Sequence, residues 1–201
     1  MGERHVAVVP VGKLGSEELE PSVRAIAKTL RQPLELKTVT LPLPGGIGDR
    51  ERGQFRASVL LASLRASFAQ LGPGRIIGAE GPDAPAVPRQ PDVIVFVTDA
   101  DLYTSSSEAA FTALLPARGL GVVSVRRLRE AFYRRSADPN RQRARLTKEL
   151  LRAIARLIGL PECKTPQCAL APSSMLADVD LKDERPCRAC LQRLFKGTVS
   201  I

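Results

Sequence analysis

Residues 145–163 read RLTKELLRAIARLIGLPEC. Leu146, Leu150, Leu151, Ile154, Leu157 and Ile158 recur at three- and four-residue spacing, while Arg145, Lys148, Glu149, Arg152 and Arg156 fall opposite them. The pattern predicts an amphipathic helix over 145–158 whose charged side is a solvated face. Gly159 is placed to end that helix in a left-handed turn, and Cys163 follows four residues later.

Cys163 is the first of only four cysteines, all near the C-terminal end: Cys163, Cys168, Cys187 and Cys190. They form C-x4-C, an 18-residue gap, then C-x2-C. Each close pair can clamp two corners of a tetrahedral four-thiolate zinc site. Two disulfides are the alternative, disfavoured in a reducing compartment. A C-x-x-C redox pair would leave Cys163 and Cys168 without a role. The expected cofactor is one structural zinc, and a site closed by four thiolates has no position for substrate.

Upstream, Val6–Val11 predicts a buried strand and Ser16 to about Leu30 a helix with an acidic first turn. Leu34–Leu41 predicts a strand, Pro42–Gly48 a turn, and Glu51–Leu71 a long helix carrying Phe55, Val59, Leu60, Leu64 and Phe68. Residues 72–91, rich in Gly and Pro, read as a loop. Asp92–Thr98 and Gly121–Val125 are apolar runs of the kind found in strands covered on both faces, and Arg126–Arg135 predicts a short basic helix. The expected architecture is α+β: a mixed sheet with packed helices and a C-terminal four-cysteine zinc segment. It would be one domain over 1–201, with 159–201 as the zinc-bound segment.

Several stretches in order give the chain a family resemblance. TKELLRAIARLIGLPEC resembles the archaemetzincin motif, in which a KE pair precedes HExxHxxGxxHC and a distant CxxC follows. Lys148-Glu149, Gly159 and the four cysteines match it position by position. VAVVPVG at the start, RGQFRASVLL at 52–61, VTDADLY at 97–103, VSVRRLREAFY at 123–133 and LADVDLKDERPCRAC at 176–190 also look like family landmarks. The resemblance implies a metzincin-like fold and zinc metalloprotease ancestry.

At the catalytic positions of that motif the sequence departs. Arg152 and Arg156 stand where the helical histidines would be, Ala153 at the general-base glutamate, Glu162 at the third histidine and Leu170 at the methionine of the Met-turn. A guanidinium stays protonated and offers no lone pair to a cation. The sole histidine, His5, precedes the first strand and is assigned no role. The expectation is therefore a pseudo-metalloprotease, not an enzyme, acting as a protein-binding or regulatory factor. A link to transcription is drawn by analogy with myxobacterial zinc-associated transcription factors resembling this family, whose motif also lacks the third histidine. Glu162 is expected to fold back toward Arg152 and Arg156 in a network that takes the metal's place; the alternative is that the two arginines bind an anion or an acidic segment of a partner.

Other chemistry finds little support. Ser105–Ser107 has no matching base, and Asp99 with Asp101 reads as loop-fixing rather than as a carboxylate dyad. The chain of 201 residues carries 30 Lys and Arg against 21 Asp and Glu, a net charge of +9. That charge suits an acidic partner without demanding one. The alternative function is a basic protein binding nucleic acid through an Arg-rich helix at 141–156, although with 4% aromatic residues stacking platforms are scarce. A protein is the expected partner, nucleic acid the second choice and a membrane is not expected. The N-terminus lacks the plan of a signal peptide, so the expected location is the cytoplasm.

Overall fold

The structure, a computed structural model, describes residues 4–78 and 90–195. Six strands form the main sheet: β1 (Val6–Val11), β2 (Leu34–Leu36), β5 (Arg75–Ile77), β6 (Val93–Thr98), β8 (Thr112–Leu115) and β9 (Leu120–Ser124). Their order is β5-β2-β1-β6-β9-β8. The inner pairs β2/β1, β1/β6 and β6/β9 are parallel, and the edges β5 and β8 run antiparallel.

The apolar runs form central strands because both faces of the sheet are covered. Val6, Val8, Val93, Val95 and Val97 face a cluster with Leu19, Val23 and Ile26 of α1 (Ser16–Leu30) and with Leu150, Leu151 and Ile154 of α3 (Pro139–Leu157). Ala7, Val9, Ile94 and Phe96 face the other side, against Leu60, Leu61 and Leu64 of α2 (Ala57–Phe68). Burying each larger aliphatic side chain contributes about 1.5–3 kcal/mol, and alternation along the strands divides that gain between two cores. A charge at Val95, which is fully buried at the sheet centre, would break one of them.

The α+β class and mixed sheet are as the sequence predicts, but several elements differ. Residues 51–56 are not helical: α2 begins at Ala57, and β4 (Gln54–Arg56) pairs with β3 (Gly48–Asp49) and β7 (Leu102–Tyr103) in a small second sheet. The Leu34–Leu41 strand is cut to Leu34–Leu36, with Leu41 making an isolated bridge to Val11. β5 lies inside the segment expected to be a loop, whose residues 79–89 fall outside the described residues. The basic helix at 126–135 is two 3-10 turns, Arg126–Leu128 and Glu130–Tyr133.

The largest correction concerns α3. It begins at Pro139, capped by Asp138, whose side chain accepts from the Arg141 amide at 3.0 Å. It ends as expected, with Gly159 at φ +104. The Leu160 amide donates to Ala155 at 2.9 Å and the Gly159 amide to Arg156 at 3.1 Å, the paired bonds of a Schellman turn. Its charged side is not solvated, because Arg145, Lys148, Glu149 and Arg152 are all buried. The C-terminal segment, with α4 (Leu176–Leu181) and α5 (Arg188–Phe195), accounts for much of that cover. Among the described residues no helix is long and apolar enough to cross a membrane.

Candidate functional site

Gly159 turns the chain away from α3 and brings in Cys163. Cys168 follows after a short turn, in which its amide donates to Thr165 at 3.0 Å. Cys187 and Cys190 come from the start of α5. The four Sγ atoms lie within 4.8 Å of one another. Cys163 Sγ and Cys187 Sγ are 3.7 Å apart and all four thiols are free. That separation is far beyond a disulfide bond of about 2.05 Å. It fits the roughly 3.8 Å edge of a tetrahedron whose centre is about 2.3 Å from each sulfur.

Backbone amides point at these sulfurs, as expected where thiolates must be held. The amides of Thr165, Leu170 and Cys187 donate to Cys163, Cys168 and Cys168 at 3.4, 3.4 and 3.2 Å. The Cys190 amide helps lower the Cys187 thiol to about 7, whereas burial pushes Cys168 and Cys190 up. Burial and mutual repulsion thus oppose full deprotonation of the cluster, and a divalent cation relieves both. The donor set, spacing and enclosure fit zinc.

Beside this centre lies a buried charge network that periodicity did not reveal. Glu149 is its hub. Its Oε1 accepts from Lys182 Nζ at 2.6 Å and Ser173 Oγ at 2.8 Å, and its Oε2 from Thr112 Oγ1 at 3.2 Å. Lys182 also donates to the Ala171 carbonyl at 3.0 Å, and burial holds its amine below the usual lysine range. One turn on, Arg152 stands 3.6 Å from Glu149 Oε2 and 3.5 Å from Glu162 Oε1. Nearer the start of α3, Arg145 makes a two-pronged pair with Asp180 at 2.6 and 2.7 Å, and its Nη2 lies 2.8 Å from Glu130.

The residues matched to the catalytic motif therefore separate. Arg152 and Glu162 meet, whereas Arg156 Nη1 donates to the Leu160 carbonyl at 2.5 Å. Ala153 and Leu170 are buried in the core. Asp101 takes both prongs of Arg127 at 2.6 and 2.8 Å, and Asp99 accepts from the Lys13 amide, so each fixes a loop. His5 Nε2 lies 3.0 Å from Glu35. The stripe from Arg141 to Arg156 cannot serve nucleic acid as a continuous surface. Arg145, Lys148 and Arg152 are buried, and Arg141 pairs with Glu130 at 3.3 Å. The sequence left Lys182, Ser173, Thr112, Asp180 and Glu130 unassigned. Only the charges of Lys182, Asp180 and Glu130 mark them, and nothing local says they are covered.

Comparison with known proteins agrees with this geometry. Residues 92–196 match Peptidase family M54. An archaemetzincin of Methanocaldococcus jannaschii is 26% identical over 191 residues, 94% of this chain and 92% of that protein. An archaemetzincin of Pyrococcus furiosus is 31% identical over 50% of this chain and 53% of its own length. The crystal structure of archaemetzincin from Methanopyrus kandleri superposes with a TM-score of 0.71 at 25% identity, covering 96% of each chain. That of a zinc-dependent peptidase from Methanocorpusculum labreanum gives 0.77 at 24% identity, over 94% of this chain and 99% of the other, a likeness of fold.

These matches correct the functional expectation. A chain read as a non-enzyme, regulatory or transcription-related factor instead matches a peptidase family and has archaemetzincins as relatives, with no sign of a regulatory role among them. With more than half of its length matched, and with archaemetzincin relatives along most of the rest, the chain belongs to peptidase family M54.

Proposed function

We propose that this chain is a zinc-binding member of the M54 peptidases that carries one zinc on Cys163, Cys168, Cys187 and Cys190 in a structural role. The observation that supports it is the convergence of four Sγ atoms within 4.8 Å on a segment packed against α3. Zinc held by four thiolates supplies folding free energy rather than an open position for water or substrate. Its work is to clamp both ends of the 163–190 segment, so that Ser173, Asp180 and Lys182 reach the charged side of α3.

Family membership makes peptide-bond hydrolysis the activity to measure. Because a centre of four thiolates is closed, hydrolysis would draw on residues outside it, and the 152–162 segment, where Arg152 approaches Glu162, is the place to test. The experiment combines metal analysis with digestion of a peptide library, with and without a chelator. One zinc per chain supports the structural assignment, and two zincs, or none with paired disulfides, overturns it. Chelator-sensitive cleavage that a substitution within 152–162 abolishes would assign peptidase chemistry to that segment.

A further inference from the structure

The Arg152 side chain makes no hydrogen bond among the described residues, although it keeps only 10% of its surface. Its Nε is enclosed and unpartnered. Its carboxylate neighbours stand at 3.6 and 3.5 Å, outside the roughly 2.7–3.2 Å range of a formed N–H···O bond. A guanidinium carries five donors in a fixed fork, and leaving the enclosed Nε–H unmade is costly.

Glu149 does not close that gap: its Oε1 accepts from Lys182 and Ser173 and its Oε2 from Thr112, with Arg152 Nε left 3.6 Å away. Its charge is balanced by Lys182, whose side chain is equally buried. Arg152 therefore faces a single remaining carboxylate, Glu162, since the Arg156 guanidinium is turned to the Leu160 carbonyl. Glu162 lies on the irregular stretch after Gly159 with 52% of its side chain exposed. It approaches Arg152 without closing a hydrogen bond and can swing outward at little cost.

We infer that Arg152 is a binding site for a carboxylate-bearing ligand, and that Glu162 is its tethered occupant, displaced when the ligand arrives. A planar carboxylate matches the fork of a guanidinium in two parallel bonds, which the present Glu162 contact does not achieve. Two sources carry that group: a small free dicarboxylic acid, or the C-terminal carboxylate of a peptide. The inference stands on the charge geometry and not on the zinc assignment.

The test is calorimetric titration of the full chain with succinate, with trialanine, and with trialanine amide, alongside zinc analysis of the same sample. Glu162→Gln should tighten binding about fivefold by removing the competing charge. Arg152→Gln should abolish it. If Arg152→Gln does not fold, Glu162→Gln, a change at a half-exposed side chain, still decides the matter. Binding of succinate but not trialanine identifies a small acid, and binding of trialanine but not its amide identifies a peptide end. Three results overturn the inference: no binding of either acid at about 20 mM, affinity unchanged in Glu162→Gln, or equal binding of trialanine and its amide. Zinc content reports separately on the thiolate centre.

Discussion

Replacing Lys182 with methionine should destabilise the protein by about 3 kcal/mol. Neither Lys182 nor Glu149 has exposed side-chain surface, and Nζ approaches Oε1 at 2.6 Å. Removing one partner of a buried pair leaves the other charged, enclosed and uncompensated, at a cost of roughly 3–5 kcal/mol. The low end applies here for two reasons. Glu149 keeps the hydroxyls of Ser173 and Thr112, and Arg152 at 3.6 Å can move in to share the charge. Methionine also fills most of the lysine volume, so little cavity cost is added. The Ala171 carbonyl loses its donor, which offsets part of that relief.

The assay is urea denaturation at neutral pH, where a chain of this size should also lose about 6–12 °C in Tm for a 3 kcal/mol change. The double variant Glu149→Met with Lys182→Met supplies the control. With both charges gone it should recover at least half of the loss, because the penalty belongs to the unpaired carboxylate. A single variant within about 0.5 kcal/mol of the parent would refute the reasoning. So would a double variant losing the full sum of the two single changes, since that would mean the side chains act independently.

Two further outcomes test neighbouring parts of the same region. Cys187→Ser should bind less than one zinc per chain and lower Tm by at least about 6 °C, and unchanged zinc content with unchanged Tm would count against the thiolate centre. Asp180 is held below its ordinary carboxyl value of 3.8 by the two bonds from Arg145. The unfolded chain therefore takes up the proton first, so this stabilisation is fully present above 3.8 and is lost as pH falls below it. Because Asp180 is partly exposed, the contribution is about 1 kcal/mol or less after solvent screening. Asp180→Asn should flatten the acid limb of the stability profile by that amount, and an unchanged limb would contradict the pairing.

The sheet was legible because its evidence is local. Val6–Val11 and Val93–Thr98 are apolar on both faces, a pattern that only strands covered from both sides need. The convergence of the four cysteines was legible for the same reason, since C-x4-C and C-x2-C each bring two sulfurs together within a few residues. The small sheet was not, because strands of two and three residues such as Gly48–Asp49 and Gln54–Arg56 have no measurable period. The first turns of α3 were missed because residues 139–144 carry no apolar stripe, although Asp138-Pro139 is a start signal.

The charged side of α3 failed differently. Periodicity reports which residues are polar, not whether water reaches them, and a buried ion pair has the same signature as a solvated face. What covers Arg145, Lys148 and Glu149 is supplied largely from more than thirty residues away, by Asp180, the Lys182 carbonyl and the Lys182 amine. Those groups lie between the two cysteine pairs, so their approach to α3 depends on both ends of the segment being held. The spacing of the cysteines and the burial of the helix charges are therefore one feature seen from two places. Loosening the thiolate centre should release Asp180 and Lys182 together, and expose Glu149 and Arg145 to water. In this chain the charged side of α3, followed by two cysteine pairs, is a buried salt-bridge layer and not a surface.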